Sequence, residues 1–176
     1  MSNIRPFKNI QPQIHESVYI DPSAVIIGDV KIGEYSSIWC TSVLRADVNS
    51  ITLGKRSNIQ DGCVLHVTHK NPLKHPEGYP LSIGDDVTVA HNVALHGCTL
   101  ENECFIGMSS TIMDGAVVQS QSMVGAGSLV TPGTIVESGW LYLGYPAKKR
   151  RELTDEEMDM FKKLAKNYVN YSRSYM

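Results

Sequence analysis

The sequence has 176 residues, the length of one domain, with 42% apolar residues, a net charge of −2 and a pI near 6.3. This balance gives no electrostatic basis for binding nucleic acid or an anionic membrane surface. No apolar run approaches membrane-spanning length and the N-terminus lacks a signal-peptide core, so we expect a cytoplasmic protein with reduced, small buried cysteines.

An aliphatic residue recurs every six positions along most of the chain, with three breaks in the frame. The positions are Ile20, Ile26, Ile32, Ile38, Leu44, Leu53, Ile59, Leu65, Ile83, Val89, Leu95, Leu100, Ile106, Ile112, Val118, Val124, Val130 and Val136. A period of six fits neither an amphipathic helix nor a simple alternating strand. It predicts a triangular solenoid in which each step is one short strand and a corner, so eighteen positions make about six coils.

The repeat divides the chain, which we expect to be a single domain over 1–176. The segments are an irregular lead-in over 1–17, a β-helix over 18–137 with a loop excursion at 66–82, a turn-rich connector over 138–153 and a C-terminal helix over 154–172. A second, shorter insertion widens the corner between Leu44 and Leu53. Loops that leave a rigid scaffold commonly carry function, and both insertions lie beside histidines.

The C-terminal segment has the signature of a capped amphipathic helix. Thr154 and Glu157 form a T-x-x-E capping box. The apolar side chains of Phe161, Ala165 and Tyr168 then share one face at helical spacing, together with Met158. The helix therefore packs against an apolar surface of its own chain or of a neighbour.

Glycine often follows an inward aliphatic residue, where we expect corners to need permissive backbone angles. These glycines are Gly33, Gly54, Gly84, Gly107 and Gly125.

Counting inward positions places His66 and His96 in one column. They follow Leu65 and Leu95, the eighth and eleventh inward positions, and so lie on one side of consecutive coils. Paired strands are about 4.8 Å apart, and at that spacing both imidazoles could reach one metal ion at Zn–N distances of about 2.0–2.1 Å. Arg45 precedes them in the same column. The alternative is that these are ordinary hydrogen-bonded surface histidines.

His91 belongs to a different side of the triangle, because it follows the tenth inward position, Val89, by two residues. If it is a ligand, a second chain must bring the two sides together. A cyclic trimer does so at each of three equivalent heterologous interfaces. Three neutral imidazoles would accept zinc, cobalt or iron.

Several motifs together resemble one known family. They are Arg45-x-Asp47, Gln60-Asp61, His66 and His91-x-x-x-x-His96. The set resembles the γ-class carbonic anhydrases, most closely their YrdA/PaaY-type branch, within the hexapeptide-repeat superfamily. This resemblance spans nearly the whole chain and implies an all-β solenoid, a left-handed parallel β-helix of about six triangular coils with a C-terminal α-helix. It also implies a homotrimer in which His66 and His96 of one subunit and His91 of the next bind zinc, alternatively iron or cobalt.

The same resemblance implies reversible hydration of carbon dioxide by a metal-bound hydroxide at a trimer interface. Gln60 matches the residue that positions the metal-bound water, and Asp61 matches a second polar partner beside the site. Arg45 and Asp47 match an interface ion pair. Tyr168 matches a tyrosine that approaches the metal in some members.

Two positions depart from the family prototype and bear on proton transfer. Val48 and His69 stand where the prototype has glutamates, the second of which is the proton shuttle. Histidine carries protons near neutral pH, so we expect slow hydration rather than none. His75 and Glu77 are possible substitutes, with solvated loop residues as the alternative reading.

Three other functions suit the same scaffold. One is metal-dependent hydrolysis of an acyl-CoA thioester, and another is a hexapeptide-repeat acyltransferase with a histidine general base. The column formed by His66 and His96 disfavours the acyltransferase, for which one base suffices. The last is a non-catalytic assembly subunit.

Overall fold

The structure is a computed structural model that describes residues 3–176, a left-handed parallel β-helix followed by one α-helix. The strands are β1 (Ile4–Arg5), β2 (Gln13–Ile14), β3 (Tyr19–Ile20), β4 (Val25–Ile32), β5 (Ser37–Ile38), β6 (Val43–Leu53), β7 (Asn58–Ile59), β8 (Val64–His66), β9 (Leu81–Ile83), β10 (Thr88–Val89), β11 (Ala94–His96), β12 (Thr99–Leu100), β13 (Phe105–Ile106), β14 (Thr111–Ile112), β15 (Val117–Val118), β16 (Met123–Val124), β17 (Leu129–Val130), β18 (Ile135–Val136), β19 (Trp140–Gly144) and β20 (Ala147–Glu152). The helix is α1 (Asp155–Arg173). No helix in this described part of the chain combines the length and apolarity needed to cross a bilayer.

The strands form the three faces of a prism. One sheet has the order β20-β19-β16-β13-β10-β7-β5-β3, and we call it the helix-covered face. A second sheet provides the other two faces, because β4 and β6 run continuously around the corner between them. The histidine face contains β1, β8, β11, β14, β17 and the first halves of β4 and β6. The polar face contains β2, β9, β12, β15, β18 and the second halves of β4 and β6.

The predicted aliphatic ladder forms the core of the prism. All eighteen inward residues are at most 4% exposed except Ile20, which is partly buried against the same core. Leu44 pairs with Leu65, and Leu65 pairs with Leu95, so every third inward position does share one face. The prediction of a triangular solenoid with three steps per coil is confirmed.

The stack of coils is taller than predicted because both ends add strands. The lead-in, predicted to be irregular, contributes β1 and β2, which pair in parallel with β4. Ile4 and Ile14 stand ten residues apart there, with Pro6 and Pro12 between them, so the six-residue spacing is lost. The prediction of an irregular lead-in was wrong, because β1 and β2 pair regularly with β4 although their inward residues do not follow the six-residue spacing.

The segment predicted as a turn-rich connector is a β-hairpin instead. β19 pairs in parallel with β16 and directs the buried Tyr142 inward. The aromatic residue at this position breaks the aliphatic pattern on which the prediction depended. β20 then returns antiparallel to β19, and its exposed edge carries the basic run Lys148–Arg151.

The glycines after the inward residues are needed for space and not for unusual backbone angles. A Cβ at Gly54 would lie 2.6 Å from the backbone of Gly84 in the next coil, closer than real contacts allow. Neither glycine has a positive φ; corner residues such as Asn92, at φ 58°, carry that conformation. We expected these glycines to supply backbone angles that other residues disfavour, and that expectation was wrong.

The excursion between β8 and β9 is anchored at its base. Thr68 and Tyr79 exchange backbone hydrogen bonds of 3.0 and 3.1 Å, and the tyrosine lies against Gly97 and Gly115. The side-chain amide of Asn49 donates to the carbonyl of Thr68 at 3.0 Å. These contacts hold the start of the excursion beside the end of β8.

α1 begins with the predicted capping box. Glu157 donates its backbone N–H to Oγ1 of Thr154 at 3.2 Å, and its carboxylate accepts from the N–H of Thr154 at 3.0 Å. Arg151 donates to both oxygens of the same carboxylate at 2.7 Å. One side chain therefore joins the helix start to the preceding strand.

α1 packs on the prism of its own chain. Phe161 and Ala165 are fully buried, and the ring of Phe161 stacks on Phe105 with centroids 6.1 Å apart. Trp39, from the end of β5, contacts Tyr168 farther along the helix. The sequence left open whether the helix covers its own chain or another. These contacts show that it covers a face of its own chain.

We expect the Glu157 cap to make stability depend on pH in the acid range. Its hydrogen bonds, first those from Arg151, lower the pKa of Glu157 from 4.5 to about 2. A lowered carboxyl pKa contributes stability above the unfolded value, and this contribution is lost as pH falls through the folded value. The melting temperature of the wild type should exceed that of Glu157→Gln near neutral pH, and the difference should narrow from about pH 5 downward. A constant difference across that range would contradict this assignment.

Candidate functional site

The structure pairs His66 with His96 at the end of the histidine face. Their Cα atoms are register partners in β8 and β11, because Leu65 and Leu95 stack inside. Nδ1 of His66 lies 3.1 Å from Nε2 of His96, and the ring centroids are 5.0 Å apart. The column predicted by counting is therefore present with side chains that converge.

Each imidazole is held by a carboxylate on its far nitrogen. Nε2 of His66 lies 3.0 Å from Oδ1 of Asp47, and Nδ1 of His96 lies 2.7 Å from Oδ1 of Asp114. Carboxylates accept hydrogen bonds, so in the neutral rings these nitrogens carry the protons. The two nitrogens that face each other then present lone pairs, which repel unless a proton or cation lies between them. At Zn–N distances of about 2.0–2.1 Å, a separation of 3.1 Å lets one ion contact both. The donor set therefore fits a divalent metal.

Asp114 is a site residue that the sequence analysis missed. Its second oxygen accepts a hydrogen bond of 2.9 Å from Oγ1 of Thr68, so it links His96 to the base of the excursion. A register signal was available, because Asp114 follows Ile112, the inward neighbour of Leu95, by two residues. Carboxylates that orient metal-ligating histidines are common around metal centres.

Arg45 and Asp47 form an ion pair on β6, directly beside His66. Burial acts to raise the pKa of Asp47, but hydrogen bonds from His66 and Arg45 outweigh it and hold that pKa below its ordinary value. The carboxylate is therefore charged when it supports the imidazole. The arginine side chain remains 46% exposed, with room for contact with another molecule.

His91 lies away from this pair, at the corner after the helix-covered face. Its Nδ1 is 2.7 Å from Oδ2 of Asp61, which occupies the equivalent corner one coil earlier. Among residues 3–176, no three histidine, cysteine, aspartate or glutamate side chains come together as a metal site. Within one chain, the predicted ligands therefore divide into a pair and a single histidine.

Gln60 lies at the end of β7 on the helix-covered face, and Tyr168 lies on α1, the helix that covers this face. Gln60 is 4% exposed, and its amide donates to Oδ1 of Asn58 at 3.1 Å. Asn58 in turn donates to Thr88 at 2.9 Å, so the glutamine is held by a buried polar row. Burial, then the charge of Asp61, raises the pKa of Tyr168.

The predicted proton-transfer positions are on the exposed surface. Val48 is 45% exposed, and the His69 ring has no hydrogen bond or ion pair within residues 3–176. Glu77 pairs with Lys70 at 2.7 Å, and His75 contacts Tyr79 through a hydrogen bond of 2.8 Å. Within the described residues, none of these side chains forms a hydrogen bond, ion pair or ring contact with His66 or His96.

The outward side chains of the histidine face are unusually apolar for an uncovered sheet. On this face, the residue directly before each inward residue pairs with its counterpart in the next coil. These outward residues are Val25, Val43, Val64, Ala94, Thr111 and Leu129. The corresponding positions on the polar face are Lys31, Thr52, Ser82, Thr99, Val117 and Ile135. A contiguous apolar surface of this kind is typical of a protein–protein interface.

Two family models match parts of the chain. One is described as bacterial transferase hexapeptide (six repeats) and matches residues 11–46. The other is described as hexapeptide repeat of succinyl-transferase and matches residues 98–132. Both matches fall in the solenoid.

Relatives and a solved structure match over nearly the full length. Protein YrdA of Escherichia coli is 49% identical over 98% of this chain and 94% of its own. A carbonic anhydrase of Geobacillus kaustophilus is 45% identical over 98% of this chain and 90% of its own. The crystal structure of a hexapeptide transferase family protein from Anaplasma phagocytophilum superposes with a TM-score of 0.91 at 43% identity, covering 98% of each chain.

Proposed function

Because the chain belongs to the γ-class carbonic anhydrase-like family of hexapeptide-repeat proteins, we propose that it catalyses the reversible hydration of carbon dioxide at a metal shared between subunits. The observation that carries this proposal is the 3.1 Å approach of His66 and His96, each with a carboxylate on its far nitrogen. A catalytic acyltransferase base would not need a second imidazole at that distance.

His66 and His96 of one chain and His91 of the partner subunit would hold the metal, with zinc as our first expectation and iron or cobalt as alternatives. A divalent metal bound by neutral imidazoles supplies a Lewis acid that activates water near neutral pH. Asp47, Asp114 and Asp61 each accept from one ring nitrogen of these three histidines, which would leave the other ring nitrogen free to hold a metal. The three carboxylates thereby fix both the orientation and the tautomer of the ligands.

Gln60 and Arg45 would act on the substrate side of the site. The Gln60 amide nitrogen is engaged with Asn58, so its carbonyl oxygen would be left to accept a hydrogen bond from a water molecule. Arg45 is tied to Asp47, and its exposed guanidinium would meet the partner subunit. Both side chains are held by neighbours before a substrate arrives, which limits the reorganisation that binding requires.

The apolar histidine face supports a trimer, in which the divided ligands of neighbouring chains would come together. His66 and His96 stand on this face among partly exposed aliphatic side chains, while His91 stands on the neighbouring corner. In a heterologous interface, the face of one chain meets the corner of the next. Burial of the apolar face would then also bring the histidine pair and the single histidine together.

A matched pair of substitutions tests the interface. Val64 on the histidine face and Ile135 on the polar face are 51% and 55% exposed, respectively. Val64→Glu should dissociate the trimer, because it buries an unpaired charge at the interface, whereas Ile135→Glu should leave it intact. Light scattering after size exclusion measures the mass of each variant. A trimeric Val64→Glu protein would contradict the assignment of this face.

Asp114 should influence metal affinity without contacting the metal. Asp114→Asn keeps the shape but loses the charge that supports His96, so we expect metal affinity to fall about 10–100-fold. Competition with a chromophoric chelator measures this affinity independently of activity. Asp159→Asn, at an exposed position of α1, is the matched control and should bind as the wild type does. Equal affinities of the two variants would remove Asp114 from the site.

Stopped-flow hydration of carbon dioxide tests the proposed activity on protein of measured metal content. The rate should exceed the uncatalysed rate and rise with added imidazole-type buffer. Val48 cannot carry a proton and His69 lies on the exposed surface, so we expect a poor internal proton route, which the buffer replaces. A rate equal to the uncatalysed one at every buffer concentration would refute carbonic anhydrase activity.

The controls for this assay are two inactive variants that complement each other. His66→Ala and His91→Ala should each lose metal and activity alone. After subunit exchange, an interface can combine His66 and His96 of a His91→Ala chain with His91 of a His66→Ala chain. Such interfaces should regain metal and activity. Full metal retention by either variant alone, or no recovery after verified exchange, would count against a shared site.

A further inference from the structure

The excursion between β8 and β9 reaches the carboxylate that orients His96. Oγ1 of Thr68 donates to Oδ2 of Asp114 at 2.9 Å, and Oδ1 of the same carboxylate lies 2.7 Å from Nδ1 of His96. The aspartate therefore has one oxygen on the imidazole and the other on the excursion. Movement of the excursion away from the prism would release the second of these contacts.

The position of the Thr68 hydroxyl depends on how the base of the excursion is held. Thr68 exchanges backbone hydrogen bonds with Tyr79, and its carbonyl accepts from the side-chain amide of Asn49 at 3.0 Å. The same amide donates to the carbonyl of Glu77 at 2.9 Å. Asn49 lies on β6, so one side chain ties both arms of the excursion to the solenoid.

The solenoid provides space for this base directly beside His96. Gly97 follows the histidine, and a Cβ there would lie 2.6 Å from Cβ of Tyr79 and still closer to Oδ1 of Asp114. Gly115 is the neighbour of Gly97 in the next coil, and a Cβ on it would lie 3.0 Å from the ring of Tyr79. The tyrosine and the carboxylate therefore share one confined space, and a shift of either one affects the other.

We infer that closure of the excursion and metal binding at His96 are coupled, with Thr68 as the positioning residue that connects them. This inference rests on the proposed metal site and adds a means of regulating it. The closed excursion holds Asp114 toward His96, which reduces the reorganisation that metal binding requires. Coupling is reciprocal, so the factor by which closure raises metal affinity equals the factor by which metal binding favours closure.

Three variants of the full-length protein test the effect on metal affinity. Thr68→Val removes the hydroxyl and keeps the branched shape, whereas Thr68→Ser keeps the hydroxyl. Competition with a chromophoric chelator should show zinc affinity at least about threefold lower in Thr68→Val and within about twofold of the wild type in Thr68→Ser. Thr99→Val, on β12 of the polar face, is the matched control and should bind zinc as the wild type does. Equal affinities of Thr68→Val and the wild type, or equal losses in Thr68→Val and Thr68→Ser, would overturn the inference.

Hydrogen exchange measures the reciprocal effect on the excursion. Peptides that contain Thr68 and Tyr79 should exchange at least about threefold more slowly in the zinc-loaded wild type than in the metal-free protein. In Thr68→Val at saturating zinc this slowing should disappear, while peptides of the core strand β13 keep their protection and show that the variant is folded. The same zinc-dependent slowing in both proteins would overturn the inference.

Carbon dioxide hydration, measured on the same samples, separates this inference from the proposed function. Loss of the coupling with hydration intact would refute only the role of the excursion. Coupling without hydration would refute only the proposed activity. A wild-type protein that binds no zinc would overturn both.

Discussion

The parallel register between successive coils is the constraint on which the rest of the structure depends. Backbone hydrogen bonds align each coil with the next, and the inward aliphatic residues fix which residue lies over which. His66 meets His96 because Leu65 stacks on Leu95. A slip of one residue would turn the histidines into the core and the leucines into solvent, so core packing and site geometry are specified together. The site needs no separate scaffold.

The three outer faces of the prism differ although their inner faces are alike. One face is covered by α1 of the same chain, one is polar, and one combines partly exposed aliphatic residues with the histidine pair. Packing inside the prism requires only the inward residues, so the outward positions are free to differ from face to face. This separation allows one repeated unit to carry a helix, a solvent surface and half of a candidate metal centre.

Much of the fold and part of the site follow from the sequence because both depend on spacing. The ladder, the histidine column and the capping box of Thr154 and Glu157 are local or periodic patterns. Asp114 was missed because the count was applied only to the residues directly after inward positions, whereas Asp114 follows Ile112 by two residues and reaches His96 of the preceding coil. The contact between Trp39 and Tyr175 could not be predicted either, since the two residues lie far apart in the chain and meet only because α1 docks beside β5. The strands at the two ends were missed where prolines or an inward tyrosine interrupted the period.

The final hairpin has a consequence for how many molecules can join end to end. A column of parallel coils ends in unpaired backbone groups, onto which the first coil of another molecule could add, and repetition of that contact would build a filament. β20 runs in the opposite direction and presents Lys148–Arg151 along its open edge. On the helix-covered face, a second prism would meet the wrong strand polarity and a row of cations, both of which oppose edge pairing. The same residues that finish this face therefore oppose its continuation into a second molecule.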